Sequence, residues 1–217
     1  MKQVLIEFDL FGLTLQEPMA LITNWIMAFF CLYSYSVIKK STEINLVYWK
    51  WFFLIFSIST FFGGLGHLFF QQLGVEGKFL NWITGAISGI YLGKAMLFHF
   101  ERSNKRIASE TFLIVKSIVL LFIALYYKKF IFIAIDAIIT YVYFAGILGY
   151  ILFKRGVKAM RFVVIGVIIG LPSAFIFILK LNPHKWLNKD DLSHLLMIFC
   201  LIYIFKGVKI LNDKYNL

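Results

Sequence analysis

Residues 46–70 read LVYWKWFFLIFSISTFFGGLGHLFF. A helix that spans the hydrocarbon core of a bilayer needs about 20 mostly apolar residues, because its backbone groups must find their hydrogen-bond partners within the helix. This stretch meets that length, and its only charged or imidazole side chains are Lys50 near one end and His67 near the other. It therefore predicts a transmembrane helix, which makes a membrane-embedded helical bundle the expected fold.

The composition of the whole chain points the same way. Of the 217 residues, 61% are hydrophobic and 15% are charged, and the mean hydropathy is +0.83. Such values exclude a soluble globular domain, and the 25 Phe, 11 Tyr and 5 Trp residues exclude a disordered chain. Cys31 and Cys200 each lie alone in an apolar stretch, so neither a disulfide framework nor a thiolate zinc site is expected.

Seven segments are apolar and long enough to span a membrane. They cover residues 19–37, 46–70, 79–100, 111–127, 130–153, 161–179 and 191–210. Lys116 interrupts the fourth segment, so an alternative with six spans stays open. Residues 4–15 are too short and too acidic to span, and we expect them at the membrane interface or over the helix ends. The sequence thus predicts an all-α, multi-pass seven-helix bundle that forms one transmembrane domain over residues 1–217.

The distribution of Lys and Arg predicts the orientation of this bundle. One set of helix ends carries most of these residues, among them Arg102, Lys105 and Arg155, and is expected in the cytoplasm. The N-terminus then lies outside and the C-terminus inside. We expect the amines of Lys94 and Lys116 to reach the cytoplasmic side along their flexible stems. Because the net charge of +11 is spread over helix ends, membrane lipids are the expected partners and nucleic acid is not.

Polar side chains inside the predicted spans mark a candidate site, because burying them in lipid is costly. The topology puts His67 and His194 at one level near the outer ends of the second and seventh spans. Asp191 lies three residues before His194 on the same helix face, and Asp190 and His184 lie beside it in the chain. Two imidazoles and a third ligand from Asp191, His184 or Asp190 are a set that zinc accepts, with one position left open.

Such a site predicts hydrolytic chemistry. Zinc would acidify a bound water, which could attack the carbonyl of an amide or ester. Asp136 lies about two turns into the fifth span and is the candidate proton acceptor. The alternative is structural, because histidines near helix ends often bond to loops, and Asp190 and Asp191 at a helix start interact favourably with the helix dipole. Glu17, just before Pro18, is interpreted in the same way as a favourable helix start.

Two stretches carry a family resemblance: residues 63–67, GGLGH, and residues 188–194, NKDDLSH. Together with the span pattern they resemble the CREST superfamily of membrane hydrolases, which includes alkaline ceramidases and the adiponectin and progestin receptor group. The resemblance implies a zinc-dependent amide hydrolase that acts on a lipid such as ceramide. It also implies that His67 and His194 are metal ligands.

The sequence differs from this family at three positions of the site. Gly63 stands where the family has a serine, which makes Thr60 the nearest hydroxyl on that face and a candidate catalytic residue. The family has a pair of histidines four residues apart in the seventh helix, whereas here Asp190 lies four residues before His194. The family's aspartate shortly after the first histidine has no counterpart, so Asp136 or Asp191 would replace it.

Two other classes of function stay open. A receptor, channel or transporter would use Asp136, Lys94 and the stripe Asn81, Thr84 and Ser88 as a polar path through the membrane. A non-catalytic assembly protein would use its apolar faces as docking surfaces for other membrane helices.

Overall fold

The computed structural model describes residues 6–38 and 43–215. This part of the chain begins with a β-hairpin and is otherwise helical. The hairpin pairs β1 (Glu7–Leu10) with β2 (Leu13–Gln16). The helices are α1 (Pro18–Val37), α2 (Ile44–Leu68), α3 (Phe70–Leu73), α4 (Phe79–Leu97), α5 (Asn104–Tyr127), α6 (Ile131–Ile139), α7 (Leu148–Lys154), α8 (Met160–Gly170), α9 (Pro172–Leu179) and α10 (Lys189–Tyr215).

Six of these helical stretches, within the described residues, are long and apolar enough to cross a membrane. They are Pro18–Val37, Ile44–Leu68, Asn104–Tyr127, Ile131–Lys154, Met160–Phe177 and Lys189–Lys214. The chain is therefore an all-helical, multi-pass membrane protein apart from its hairpin.

The predicted third span is the one that the six do not include. It forms α4, but three glycines, the polar residues Asn81 and Thr84, and Lys94 lower its hydropathy. The predicted fourth span, interrupted by Lys116, is included as α5 with a mean hydropathy of 2.1. A single lysine thus lowers the mean hydropathy of a long apolar helix less than polar and small residues distributed along the whole of α4 do.

The hairpin covers the end of the bundle where α1 begins and α2 ends. Gln71 donates hydrogen bonds to the side chains of Glu7 and Gln16, both at 3.0 Å, and Gln72 donates to the carbonyl of Thr14. Of the two places expected for residues 4–15, these contacts match the cover over the helix ends; residues 4–5 lie outside the described residues. The backbone N–H of Glu17 bonds to the carbonyl of Ile6, which places Glu17 at this end.

The core forms where α2 packs between α1 and α4, and where α8 packs against α10. Trp49, Phe52 and Phe53 of α2 are fully buried there. A Cβ atom on Gly166 would lie 2.7 Å from the carbonyl oxygen of Cys200, so only glycine permits the approach of α8 to α10. The outer face of α5 stays apolar and exposed, as lipid contact requires; Phe122 is 69% exposed.

Candidate metal site and adjoining cavity

His67 and Glu17 form the centre of the candidate site. His67 lies in the last turn of α2, and its Nδ1 is 2.8 Å from Oε2 of Glu17, just before α1. The other oxygen of Glu17 accepts a hydrogen bond from Nδ2 of Asn188 at 3.1 Å. A carboxylate can only accept, so Nδ1 of His67 donates and Nε2 keeps its lone pair in the neutral ring. We infer this tautomer from the hydrogen bonds.

The carboxylate of Glu17 is held in its ionised form. Burial by itself would raise its pKa, but the hydrogen bond from His67 and the charge of Lys78 act in the opposite direction. The pKa of Glu17 therefore lies below its usual value of 4.5. An ionised Glu17 keeps the His67 ring in one orientation.

His194 joins the same site from α10. The centres of the His67 and His194 rings lie 6.0 Å apart, edge to face. Oγ1 of Thr23 lies 2.9 Å from Nδ1 of His194 and also 2.9 Å from the carbonyl of Met19. Nδ2 of Asn24 lies 3.3 Å from Nδ1 and 3.5 Å from Nε2 of the same ring. In the tautomer with its proton on Nδ1, His194 donates to Thr23, whose hydroxyl donates to the carbonyl of Met19. That tautomer leaves the lone pair of the ring on Nε2.

Asp190 is the candidate for the third metal ligand. One ligand atom each from Glu17, His67 and Asp190 lies within 4.8 Å of the others, the group that could hold a metal ion among the described residues. Asp190 lies four residues before His194, on the same face of α10. Its carboxylate also pairs with Lys189 at 2.6 Å. Of the three alternatives for the third ligand, Asp190 is the one brought close to His67.

Asp191 and His184 have other partners. Asp191 accepts from the backbone N–H of Asn188 at 2.9 Å, while the Asn188 side chain accepts from the N–H of Asp191 at 3.2 Å. This reciprocal pair is a capping box that starts α10. His184 is exposed, and its Nδ1 accepts from the N–H of Trp186 at 3.2 Å. Neither residue belongs to the group around His67.

Lys78 is a residue of the site that the sequence does not reveal. Its Nζ lies 3.3 Å from Nδ1 and 3.4 Å from Nε2 of His67. Burial lowers the pKa of Lys78, while the carboxylates of Glu17 and Asp190 act in the opposite direction. The approach depends on Gly66, whose Cβ would lie 2.7 Å from the carbonyl of Gly77. Only the folded chain brings these residues together, so spacing along the sequence carries no signal.

A cavity of about 170 Å³ extends from His194 into the bundle. Its wall includes both predicted catalytic residues, Asp136 and Thr60. Thr60 donates to the carbonyl of Phe56 in its own helix at 3.0 Å. Other polar residues of the wall are Asn24, Ser59, Asn81, Ser88 and Thr140. Thr84 and Lys94 of the predicted polar path are not in the wall, and Lys94 instead pairs with Glu110 at 3.5 Å.

Asp136 is neutralised by Lys116, contrary to the expectation that this lysine extends to the cytoplasmic side. Both side chains are about 5% exposed, with the Lys116 amine 2.5 Å from Oδ1 of Asp136. The amine also donates to the carbonyl of Asp136 and to Thr140, where the chain enters a π-helix over Thr140–Ile147. The expectation was wrong because the neighbouring helix offers a carboxylate, a carbonyl and a hydroxyl within the bundle.

Comparison with known proteins places the chain in a family. The family of unknown function DUF6962 matches residues 19–213, a range that contains His67, Asp190 and His194. No curated protein and no solved structure matches the chain. Because the match covers most of the sequence, the chain belongs to the DUF6962 family.

Proposed function

We propose that the chain is a membrane-embedded, zinc-dependent hydrolase of a lipid amide or ester. The observation that carries this proposal is the group of Glu17, His67 and Asp190, with the ring of His194 centred 6.0 Å from that of His67. His67 and His194 lie side by side with their Nδ1 atoms engaged by Glu17 and Thr23. Histidines that bind metals typically donate their other ring N–H to such a partner.

The donor set fits zinc. Nε2 of His67, Nε2 of His194 and the carboxylate of Asp190 would hold the ion, an N/O set that zinc uses in catalytic sites. Glu17 already accepts from His67 and Asn188, so it would orient His67. When bound, zinc would polarise a carbonyl and lower the pKa of a water in the open position. Lys78 would withdraw its amine from His67, which its four-carbon stem allows.

The protein's own residues would prepare the proton transfer. Both hydrogen bonds to the Asp136 carboxylate from the described residues, donated by Lys116 and Ser117, go to Oδ1. This leaves Oδ2 to accept from a water in the cavity that also reaches His194. Asp136 would then accept a proton through water, and Thr60 would be a hydroxyl of the cavity wall.

A lipid substrate fits the surroundings of the cavity. An apolar groove of about 80 Å³ shares Ala137, Tyr141 and Met197 with the polar cavity. An amphiphile could place a hydrocarbon chain in the groove and its polar group towards His194. The resemblance to the CREST superfamily supports this substrate class, with Asp190 at the position of one histidine of that family.

The proposal includes a topology of seven spans. The helix α4, which has 19 residues, packs against α2 and α5, which supports its being the third span. With the Lys- and Arg-rich helix ends in the cytoplasm, the N-terminus and the site with His67 face outwards and the C-terminus faces the cytoplasm.

Metal analysis of the detergent-purified protein tests the site. We expect about one zinc per chain in the wild type, and loss of zinc in His67→Ala and in His194→Ala. His184→Ala is the matched control: His184 is exposed and bonds to its own loop, so this variant should keep the ion. Absence of zinc from the wild type, or undiminished zinc in both site variants, would eliminate the site. Hydrolysis of a fluorescent ceramide by the same samples tests the activity.

The cavity itself favours a second function, as a receptor, channel or transporter. A buried Lys116–Asp136 pair beside a polar cavity is a feature of intramembrane paths for ions and solutes. Transport in proteoliposomes that disappears with Asp136→Asn but survives His67→Ala would favour this function over hydrolysis.

A further inference from the structure

A second cavity lies at the end of the bundle remote from His67. The helix α4 starts beside Lys78 and ends at Leu97, so the connection that follows it lies at the opposite end. There a cavity of about 610 Å³ is lined by Lys105, Arg106 and Arg155. Glu101 is the one acidic residue in the lining described for this cavity. The proposed hydrolytic reaction uses none of these residues.

Aromatic rings hold the two guanidinium groups of this cavity in place. Arg106 lies 4.8 Å from the ring centre of Phe98 and donates to the carbonyl of Phe100 at 2.7 Å. Arg155 lies 5.3 Å from the ring centre of Phe100. Each guanidinium has five N–H donors, and neither forms an ion pair with a carboxylate in the described part of the chain. Most of their donors remain available to a ligand.

Two further features of this cavity can contribute N–H donors to a ligand. Nε2 of His99, which also lines the cavity, is buried and has no hydrogen-bond partner among the described residues. The helix α5 begins at the same place, with Ser103 as its cap and Lys105 and Arg106 in its first turn. The positive end of a helix dipole and its free N–H groups add to the attraction for an anion.

We propose that this cavity binds a phosphate group, as a phosphate monoester of a lipid headgroup or as a free phosphate. Guanidinium groups bind phosphate oxygens through paired, charge-assisted hydrogen bonds, and those of Arg106 and Arg155 lie over the rings of Phe98 and Phe100. Lys105 adds a mobile charge, and His99 adds a donor when Nε2 carries the proton. The site is separate from the candidate metal site and does not depend on hydrolytic activity.

Thermal unfolding in a non-ionic detergent tests the proposal with three probes. They are inorganic phosphate, dioctanoyl phosphatidic acid and dioctanoyl phosphatidylcholine, at equal ionic strength. We expect phosphatidic acid, inorganic phosphate or both to raise the unfolding temperature, and phosphatidylcholine to have no effect. If inorganic phosphate raises the unfolding temperature, a free anion is sufficient for binding. If phosphatidic acid raises it and inorganic phosphate does not, the ligand is a lipid headgroup.

The variant Lys105→Gln with Arg155→Gln should weaken the phosphate effect at least tenfold in apparent Kd. Both side chains are exposed, so the ligand-free variant should unfold near the wild-type temperature. Lys154→Gln with Lys158→Gln is the matched control, since it removes the same charge from residues outside the cavity lining. The proposal is overturned if neither phosphate probe raises the unfolding temperature, or if the site variant and the control respond equally.

Discussion

The two ends of the helical bundle gather opposite kinds of polar group. At one end, Glu17, His67 and Asp190 come from three different elements, and ligand atoms of all three lie within 4.8 Å of one another. At the other end, the cavity lining carries Lys105, Arg106 and Arg155. The first end offers lone pairs and suits a cation, whereas the second offers N–H donors and suits an anion. Ligand preference thus follows from which helix ends meet at each end of the bundle.

The largest effect is expected at the buried pair between the two ends. Lys116→Met would leave the Asp136 carboxylate buried without its cation, which typically costs about 3–5 kcal/mol. We expect a large drop in the free energy of unfolding, measured by chemical denaturation in detergent. Ligand binding at both ends would weaken together, because both depend on the folded bundle.

The double variant Lys116→Met with Asp136→Leu is the control for this pair. Replacing both charges removes the unpaired carboxylate and should recover most of the lost stability. If Lys116→Met alone is as stable as the wild type, the pair does not hold α5 to α6 in the way that the structure indicates.

The next largest effect is expected at Glu17 and is confined to one end. Glu17→Gln weakens the partner that orients His67, and loss of such a partner lowers metal affinity about 10–100-fold. Zinc titration of the metal-free variant measures this change. The phosphate effect at the other end should be unchanged. Equal zinc affinity in the variant and the wild type would show that Glu17 does not contribute to metal binding.

Replacing Lys78 is expected to change zinc affinity less than replacing Glu17, and in the opposite direction. Its amine competes with a cation for the surroundings of His67, so Lys78→Met should tighten zinc binding. When zinc binds, the Lys78 amine would move towards water, where a unit charge about 4 Å away contributes on the order of 1 kcal/mol. The same zinc titration measures it, with Lys128→Met as a control in which the lysine is exposed. Weaker binding in Lys78→Met would show that the amine supports the site.

The smallest effect is expected at an exposed pair of the same end. The hydrogen bond from Lys128 lowers the pKa of Glu76. Such a pair stabilises above the usual pKa of the carboxyl group and loses its contribution as the pH falls through the lowered value. Both side chains are more than half exposed, so solvent screens them. Glu76→Gln should leave the unfolding temperature at pH 7 unchanged; a clear drop would contradict this contrast with Lys116–Asp136.

Periodicity and hydropathy predicted the helical membrane fold and most helix boundaries. They also placed His67 and His194 at one level, because both positions follow from counting turns along apolar helices. Residue spacing could not reveal Lys78 or Thr23, which meet the two rings only through tertiary packing. The interior position of Lys116 was missed for the same reason, since its partner Asp136 lies on another helix.

The choice among the third ligands depended on local geometry that the sequence left open. Asp190 and Asp191 are adjacent, and either could have faced His67. In the structure, Asp191 completes the capping box with Asn188, and Asp190, one position earlier on the helix, lies close to His67. The position of the helix cap decides which side chain of the first turn faces His67. The sequence does not show where the cap lies, so the two carboxylates look equivalent.

X-ray absorption at the zinc edge, on protein purified without added chelator, tests the central claim most directly. We expect a signal from about one zinc per chain with two imidazole ligands and oxygen in the rest of the shell. The zinc signal should be lost in His194→Ala and persist, with both imidazoles, in His184→Ala. A zinc shell without imidazole, or one unchanged in His194→Ala, would contradict the central claim.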